Sequence, residues 1–265
     1  KWDKNKHMHK RSFFTKIEQP RPRRSGYLLK SILSLIFIAL LFSCSNQSAP
    51  NAQIYPDNTT HFNGQAMTID YHIIVGNPLN SSAISTIQNI ILSTFQEVDS
   101  TYNKWNPSSE LSRLNQLKAD QEVTLSPALA IFLTQVQLIV DLSEGRFDPT
   151  IEPLQKLWKD KLKKGLIPTD TEIAAIQPSI GWNKIHINNG IFNKDHDKTA
   201  LDLGGIAKGL CVDLLVEQLT SQGFKDVYVE WGGEIRCQGK HPSDRDWTVF
   251  ISRLGNTDPS QAITL

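Results

Sequence analysis

Apolar positions in this chain begin as an unpatterned run and then settle into helical and strand rhythms. Between Tyr27 and Phe42 the segment YLLKSILSLIFIALLF is apolar almost throughout, and Leu35–Phe42 is uninterrupted. Residues 45–60 are rich in Asn, Ser, Pro and Gln and read as a flexible tether, with the folded part beginning near His61. Residues 66–75 (AMTIDYHIIV) alternate as a strand does. Asn80-Ser81-Ser82 offers caps for a helix to about Ser100, with Ile84, Ile87, Ile91, Leu92, Phe95 and Val98 at helical spacing. A loop holding Pro107 leads to a short helix that Ser108-Ser109-Glu110 can cap, and Ser126-Pro127 opens another that Gly145 ends. Residues 146–150 (RFDPT) enter a short helix over 151–160, and Pro168-Thr169-Asp170 marks a further helix start within a loop over 165–180. Strands are expected near 184–187 and 190–193, turning at Asn188-Asn189-Gly190. A segment over 201–222 ends at Gly223, and strands follow at 226–230, 235–239 and 247–252, the first two joined through Trp231–Glu234. The last residues read as a loop, so the chain looks cut short at Leu265. There is no internal repeat. The class is α+β, helices covering a mostly antiparallel sheet.

Charge changes the picture at one end only. Residues 1–30 hold ten Lys and Arg against Asp3 and Glu18, which leaves 18 basic and 25 acidic residues for the rest of the 265-residue chain. A body that is mildly acidic gives no support for nucleic-acid binding. The basic flank followed by the apolar run has the shape of a secretory signal, and Leu41-Phe42-Ser43-Cys44 resembles a bacterial lipoprotein box that ends on a lipidated Cys44. The alternative is a plain signal anchor with an incidental cysteine. Residues 1–44 are therefore expected to be an export signal, which places the rest on the periplasmic side of the cell envelope, anchored to a membrane by lipid. Cys211 and Cys237 form neither a disulfide framework nor a metal-ligand spacing and read as buried small apolar residues.

The stretch with the most chemistry is Leu201–Asp213, LDLGGIAKGLCVD. Glycine inside a helix costs about 1 kcal/mol relative to alanine, so Gly204, Gly205 and Gly209 around a helix start suggest close approach to the backbone. Helix N-termini suit phosphate, and Lys208 opposes the helix dipole unless an anion is present. The alternative is a helix packed tightly on a sheet. The glycines fit neither G-x-G-x-x-G nor a P-loop.

Five segments, in order across residues 62–252, carry a family resemblance: FNGQAMTIDY, WNPSSELSRLN, GRFDPTIEPLQKLW, LDLGGIAKGLCVDLL and VYVEWGGEIRCQGK. Together they resemble the bacterial FAD:protein FMN transferases, the ApbE family of flavin transferase lipoproteins. The resemblance implies the ApbE-like fold over 61–265, FAD as substrate and magnesium bridging its pyrophosphate. A threonine hydroxyl of a target protein attacks the FMN phosphorus, and AMP leaves. The target class it implies is a membrane-bound redox subunit with a Ser/Thr-rich flavinylation motif. Some members instead hydrolyse FAD to FMN and AMP, and a non-catalytic flavin-binding lipoprotein is a third reading.

By resemblance, Met67 contacts flavin, with a core methionine as the alternative. Trp105 stands where the family commonly has tyrosine and would stack on isoalloxazine, Tyr102 being its competitor. Arg146, Phe147 and Asp148 match a segment lining the FAD site, although Asp148 before proline also suits a turn. Asp202 resembles the aspartate that bonds the cofactor, or else is an N-cap. Gly205 matches the position whose backbone carbonyl binds magnesium, and Lys208 one that faces the cofactor. Gly232 and Gly233 resemble a pair that lets a strand end approach the ligand, or else make a hairpin turn. The family's side-chain magnesium ligands and its base are expected beyond Leu265. Asp148 and Glu152 are not assigned as metal ligands, since a hard cation needs several oxygens. Residues 45–265 alone are accordingly expected to bind FAD poorly.

Overall fold

A computed structural model describes residues 49–252 and 259–265, which belong to one unit, Ser48–Leu265. The signal segment and Cys44 lie outside the described residues. The main sheet has five strands in the order β1 (Asn51–Ile54), β2 (Thr60–Ala66), β3 (Ile69–Val75), β7 (Val227–Trp231) and β8 (Glu234–Gln238), and every pairing in it is antiparallel. A smaller sheet takes β4 (Val123–Thr124), β6 (Ile191–Lys194) and β5 (Ile185–Asn188) in that order. A third pairing joins β9 (Thr248–Ser252) to β10 (Pro259–Thr264).

Register explains which face of the main sheet is buried. Thr60, Phe62 and Gly64 stand beside Val75, Ile73 and Tyr71, which stand beside Val227, Val229 and Trp231. With a period of two, these residues share one face. Two helices cover it: α1 (Ser81–Tyr102) with Ile87, Ile91, Phe95 and Val98, and α6 (Ala207–Ser221) with Cys211, Val212, Leu215 and Leu219. The Phe95 ring sits 4.9 Å from Tyr71 and 5.2 Å from Trp231. Burying each such ring contributes about 1.5–3 kcal/mol.

Helix ends follow local chemistry. Asn80 caps α1, Ser109 caps α2 (Glu110–Gln116) and Ser126 caps α3 (Pro127–Leu142). Helix α4 (Glu152–Leu162) follows a 3-10 turn at Pro149–Ile151, and Thr169 closes a capping box on α5 (Asp170–Ile176). At the end of α6 the Gly223 N–H donates to Thr220 and the Phe224 N–H to Leu219, with Gly223 at φ +92°. This is the left-handed cap that glycine favours.

Three expectations are corrected. Residues 51–54 are not tether but an edge strand on β2, with the Pro50 carbonyl bonded by Gln88 at 2.8 Å. Edge strands are held by backbone pairing on one side, so they need little apolar content. The strand expected over 66–75 is two strands, with Met67 and Thr68 as a two-residue turn at φ +49° and +65°. The C-terminal loop is β10, its pairing with β9 supplied by tertiary contact and not by its own alternation.

Candidate flavin site

Two cavities meet beside the first residues after α1. The inner one, about 410 Å³, lies between the Met67–Ile69 turn, the end of α1, the start of α6 and Trp231. The outer one, about 590 Å³, lies between α2, α4 and residues 197–200. Lys104 and Trp105 line both.

The segment carrying these two residues is tied down on every side. Asp99 accepts from Asn103 at 2.6 Å and from Asn106 at 2.8 Å, while Asn103 accepts from the Trp105 N–H at 3.0 Å. The Ser112 hydroxyl donates to the Lys104 carbonyl at 3.1 Å. Asn115 clamps Leu201 through both ends of its amide, accepting from the Leu201 N–H at 2.7 Å and donating to its carbonyl at 2.9 Å. Behind it Lys194, 1 % exposed, donates to the Asn115, Asp197 and Thr199 carbonyls. Burial pushes its ammonium down to about 8. The SELSRLN run thus fixes the chain on which Asp202 sits.

Asp202 is held at both oxygens: Oδ1 accepts from the Gly204 N–H at 2.9 Å and Oδ2 from Lys104 at 2.8 Å, while its own N–H donates to Pro149 at 2.7 Å. Burial acts to raise its carboxyl, and the Lys104 and Gly204 hydrogen bonds outweigh that and hold it below the usual carboxylate range. It does not cap α6, whose N-cap position is Ile206. Gly204 and Gly205 form the turn before that helix, and Gly209 lies in its first turn. Tight packing does not require Gly209, because a Cβ there meets nothing within 4 Å. The Lys208 ammonium donates to the Gly232 carbonyl at 3.0 Å and pairs with Glu234 at 3.3 Å.

The structure therefore brings Met67, Trp105, Asp202 and Lys208 to the inner cavity from three separate segments, Asp202 and Lys208 both belonging to the 201–213 stretch. Trp105 is 71 % exposed, with the Lys104 and Lys159 ammonium groups 4.9 and 4.7 Å from its ring centre. Tyr102 also lines the cavity, but its ring packs edge-on against Phe132 in the core. Phe147 sits behind the glycine turn, 3.4 Å from where a Cβ on Gly205 would stand. Gly232 and Gly233 are the β7–β8 hairpin turn, at φ +57° and +90°; they do not line the cavity themselves, but Gly232 lies against two residues that do, Lys208 and Ile69. Arg146 and Asp148 line neither cavity: Arg146 pairs with Glu144 at the surface, and Asp148 accepts from the Thr150 N–H and hydroxyl as a turn former. Among the described residues no group of three His, Cys, Asp or Glu is placed to hold a metal, and Glu152 is bound to Lys104.

Sequence reasoning gave no role to Lys104, Asn115 or Trp231. The Trp231 indole N–H, in the wall of the inner cavity, is buried and has no hydrogen-bond partner among the described residues, an unmet donor beside an open space.

Comparison with known proteins points the same way. Residues 67–265 match the ApbE family. The FAD:protein FMN transferase of Chlamydia pneumoniae is 40 % identical over 74 % of this chain and 63 % of its own length. That of Chlamydia trachomatis is 38 % identical over 86 % of this chain and 69 % of its own. The chain thus spans about two thirds of the length of the curated relatives it matches. The solved flavin transferase ApbE of Vibrio cholerae superposes with a TM-score of 0.66 at 29 % identity, covering 76 % of this chain and 64 % of that one. The solved ApbE protein of Thermotoga maritima, 21 % identical, shares the fold with a TM-score of 0.69 over 80 % of this chain and 68 % of that one. With five motif segments, this fold and a family match over three quarters of its length, the chain belongs to the ApbE family.

Proposed function

We propose that this protein is a flavin transferase that moves FMN from FAD to a threonine hydroxyl of a target protein. The observation that carries this reading is the convergence of Met67, Trp105, Asp202 and Lys208 on one cavity that opens at a glycine-rich helix start. Trp105 offers an exposed indole face for a planar ring. Asp202, kept ionised by Lys104, accepts hydrogen bonds from ribose or base donors. The α6 start and Lys208 favour the pyrophosphate.

In the proposed reaction the threonine oxygen forms a bond to the FMN phosphorus as the bond to the AMP phosphate breaks. AMP leaves with that electron pair, and the hydroxyl proton passes to solvent. This chain's described part acts on the donor: it orients FAD and offsets its charge. Magnesium belongs to the proposal through the family resemblance, with the Gly205 carbonyl as the one ligand that resemblance assigns within the chain. The acceptor is a redox subunit with a Ser/Thr-rich flavinylation motif. Export by residues 1–44 and lipid attachment at Cys44 would place the enzyme on the periplasmic side of a membrane.

The test is incubation of the full-length protein with FAD, magnesium and an acceptor domain, followed by a denaturing gel. A fluorescent band on the acceptor with matching AMP release supports transfer. FMN and AMP without a labelled acceptor identify a pyrophosphatase, and FAD left intact identifies a flavin binder.

A further inference from the structure

Lys104 is the most constrained cation of the site, and so far it has entered only as a hydrogen-bond partner of Asp202. Its side chain is 10 % exposed at the wall common to both cavities. An ammonium has three N–H bonds, and three acceptors meet it: Glu152 Oε2, Asp202 Oδ2 at 2.8 Å and Gln155 Oε1 at 3.3 Å. With every donor taken, Lys104 cannot also bond a ligand phosphate without releasing one of these partners. Its effect on a ligand therefore passes through the carboxylates it holds.

Those carboxylates are a liability without it. Glu152 and Asp202 converge on one nitrogen, with side chains 21 % and 16 % exposed. Two partly buried carboxylates that close repel one another, and a shared cation offsets that repulsion. Other charges face the junction from each side: Asp99 and Lys208 across the inner cavity, Lys156, Asp197 and Lys198 across the outer one. Among the described residues none of these is hydrogen-bonded to Glu152 or Asp202, so Lys104 is the charged partner in direct contact with both acids, beside the Gly204 N–H on Asp202.

We infer that Lys104 is a positioning residue, a built-in counter-ion that locks Asp202 and Glu152 in place and so lets the two-cavity junction accept an anionic dinucleotide. It tethers the loop after α1 to α4 and to the turn before α6 in a single three-way contact. The inference deepens the flavin reading and rests on it for the identity of the ligand.

The test compares Lys104→Met, Lys104→Arg and the double variant Lys104→Met/Glu152→Gln in the full-length protein, using FAD titration from pH 5.5 to 8.5 and side-chain carboxyl NMR without ligand. For Lys104→Met the expected result is FAD binding at least tenfold weaker at pH 8, recovering as pH falls and the acid pair takes up a proton. The same proton is expected in the NMR titration as a carboxyl that titrates well above its wild-type range. Removing one acid in the double variant should restore most of the affinity, and Lys104→Arg should retain more than Lys104→Met. Overturning results are wild-type affinity in Lys104→Met, or a loss equal at every pH that Glu152→Gln does not repair. If the wild-type protein binds no FAD, the flavin reading fails, while the NMR titration still decides whether losing Lys104 changes proton uptake by the acid pair.

Discussion

At the scale of single residues, the site carries strain and sacrifice that packing does not explain. Thr68 holds φ +65° in the β2–β3 turn, next to Met67 at +49°. The other two-residue turns of this kind use Asn189-Gly190 and Gly232-Gly233. A β-branched residue in the left-handed region costs about 1–2 kcal/mol. Thr68→Gly should therefore raise the melting temperature, and a drop instead would show that Thr68 contacts outweigh its backbone cost. Gly209 makes the converse case. Since a Cβ at 209 meets nothing within 4 Å, Gly209→Ala should stabilise α6 by up to about 1 kcal/mol in thermal unfolding. If the ligand pyrophosphate comes close there, the same variant binds FAD more weakly. Equal FAD affinity in the two proteins would remove Gly209 from the site. The residues of the glycine stretch were legible in the sequence because unusual composition marks them. Lys104 was not, because its partners Glu152 and Asp202 lie 48 and 98 positions away and no local spacing announces them.

At the scale of elements, the α2 segment acts as the brace of the site. Ser109 caps it, Ser112 fixes the Lys104 carbonyl, and Asn115 holds the Leu201 backbone from its end. Asn115→Ala leaves both Leu201 backbone groups without these partners, so a loss of about 1–3 kcal/mol in denaturant unfolding is expected, with weakened FAD binding as Asp202 loosens. An unchanged unfolding midpoint would mean that other bonds hold Leu201. Helix boundaries were read well from the sequence because caps are local: Asn80, Ser109, Ser126 and Thr169 each accept from their own first turn. The edge strands β1 and β10 were not, because polar residues become strand only by pairing with a neighbour. Arg146 and Asp148 were singled out by motif and line neither cavity. Their segment matches the family motif, yet only Phe147 turns toward the glycine turn, since Asp148 spends its carboxylate on Thr150.

At the scale of the whole molecule, the main sheet separates two chemistries. Its buried face supports the inner cavity through Trp231 and Ile69. On the opposite face His72 bonds His61 at 3.0 Å, and His61 contacts the Thr59 hydroxyl at 2.8 Å, which donates to Asp57 at 2.6 Å. Burial, foremost, lowers both histidines, reinforced at His61 by the neighbouring His72. A histidine whose folded pKa is depressed stabilises the fold above its unfolded value of about 6.5, and that contribution falls as pH drops from there toward the folded value. The melting temperature should accordingly decline as pH is lowered below about 6.5. His72→Gln should flatten that decline, and an equally steep decline in the variant would place the acid sensitivity elsewhere.

The claim on which the rest depends is that FAD lies in the inner cavity against Trp105. Because this side chain is 71 % exposed, its removal perturbs the fold little. Stacking of a planar ring on an aromatic side chain is worth about 1–3 kcal/mol per ring, so FAD titration of full-length wild type and Trp105→Ala is the most direct measurement. The prediction is saturable binding by wild type, about fivefold or more weaker in Trp105→Ala at an unchanged melting temperature. Equal affinity in the two proteins would contradict it.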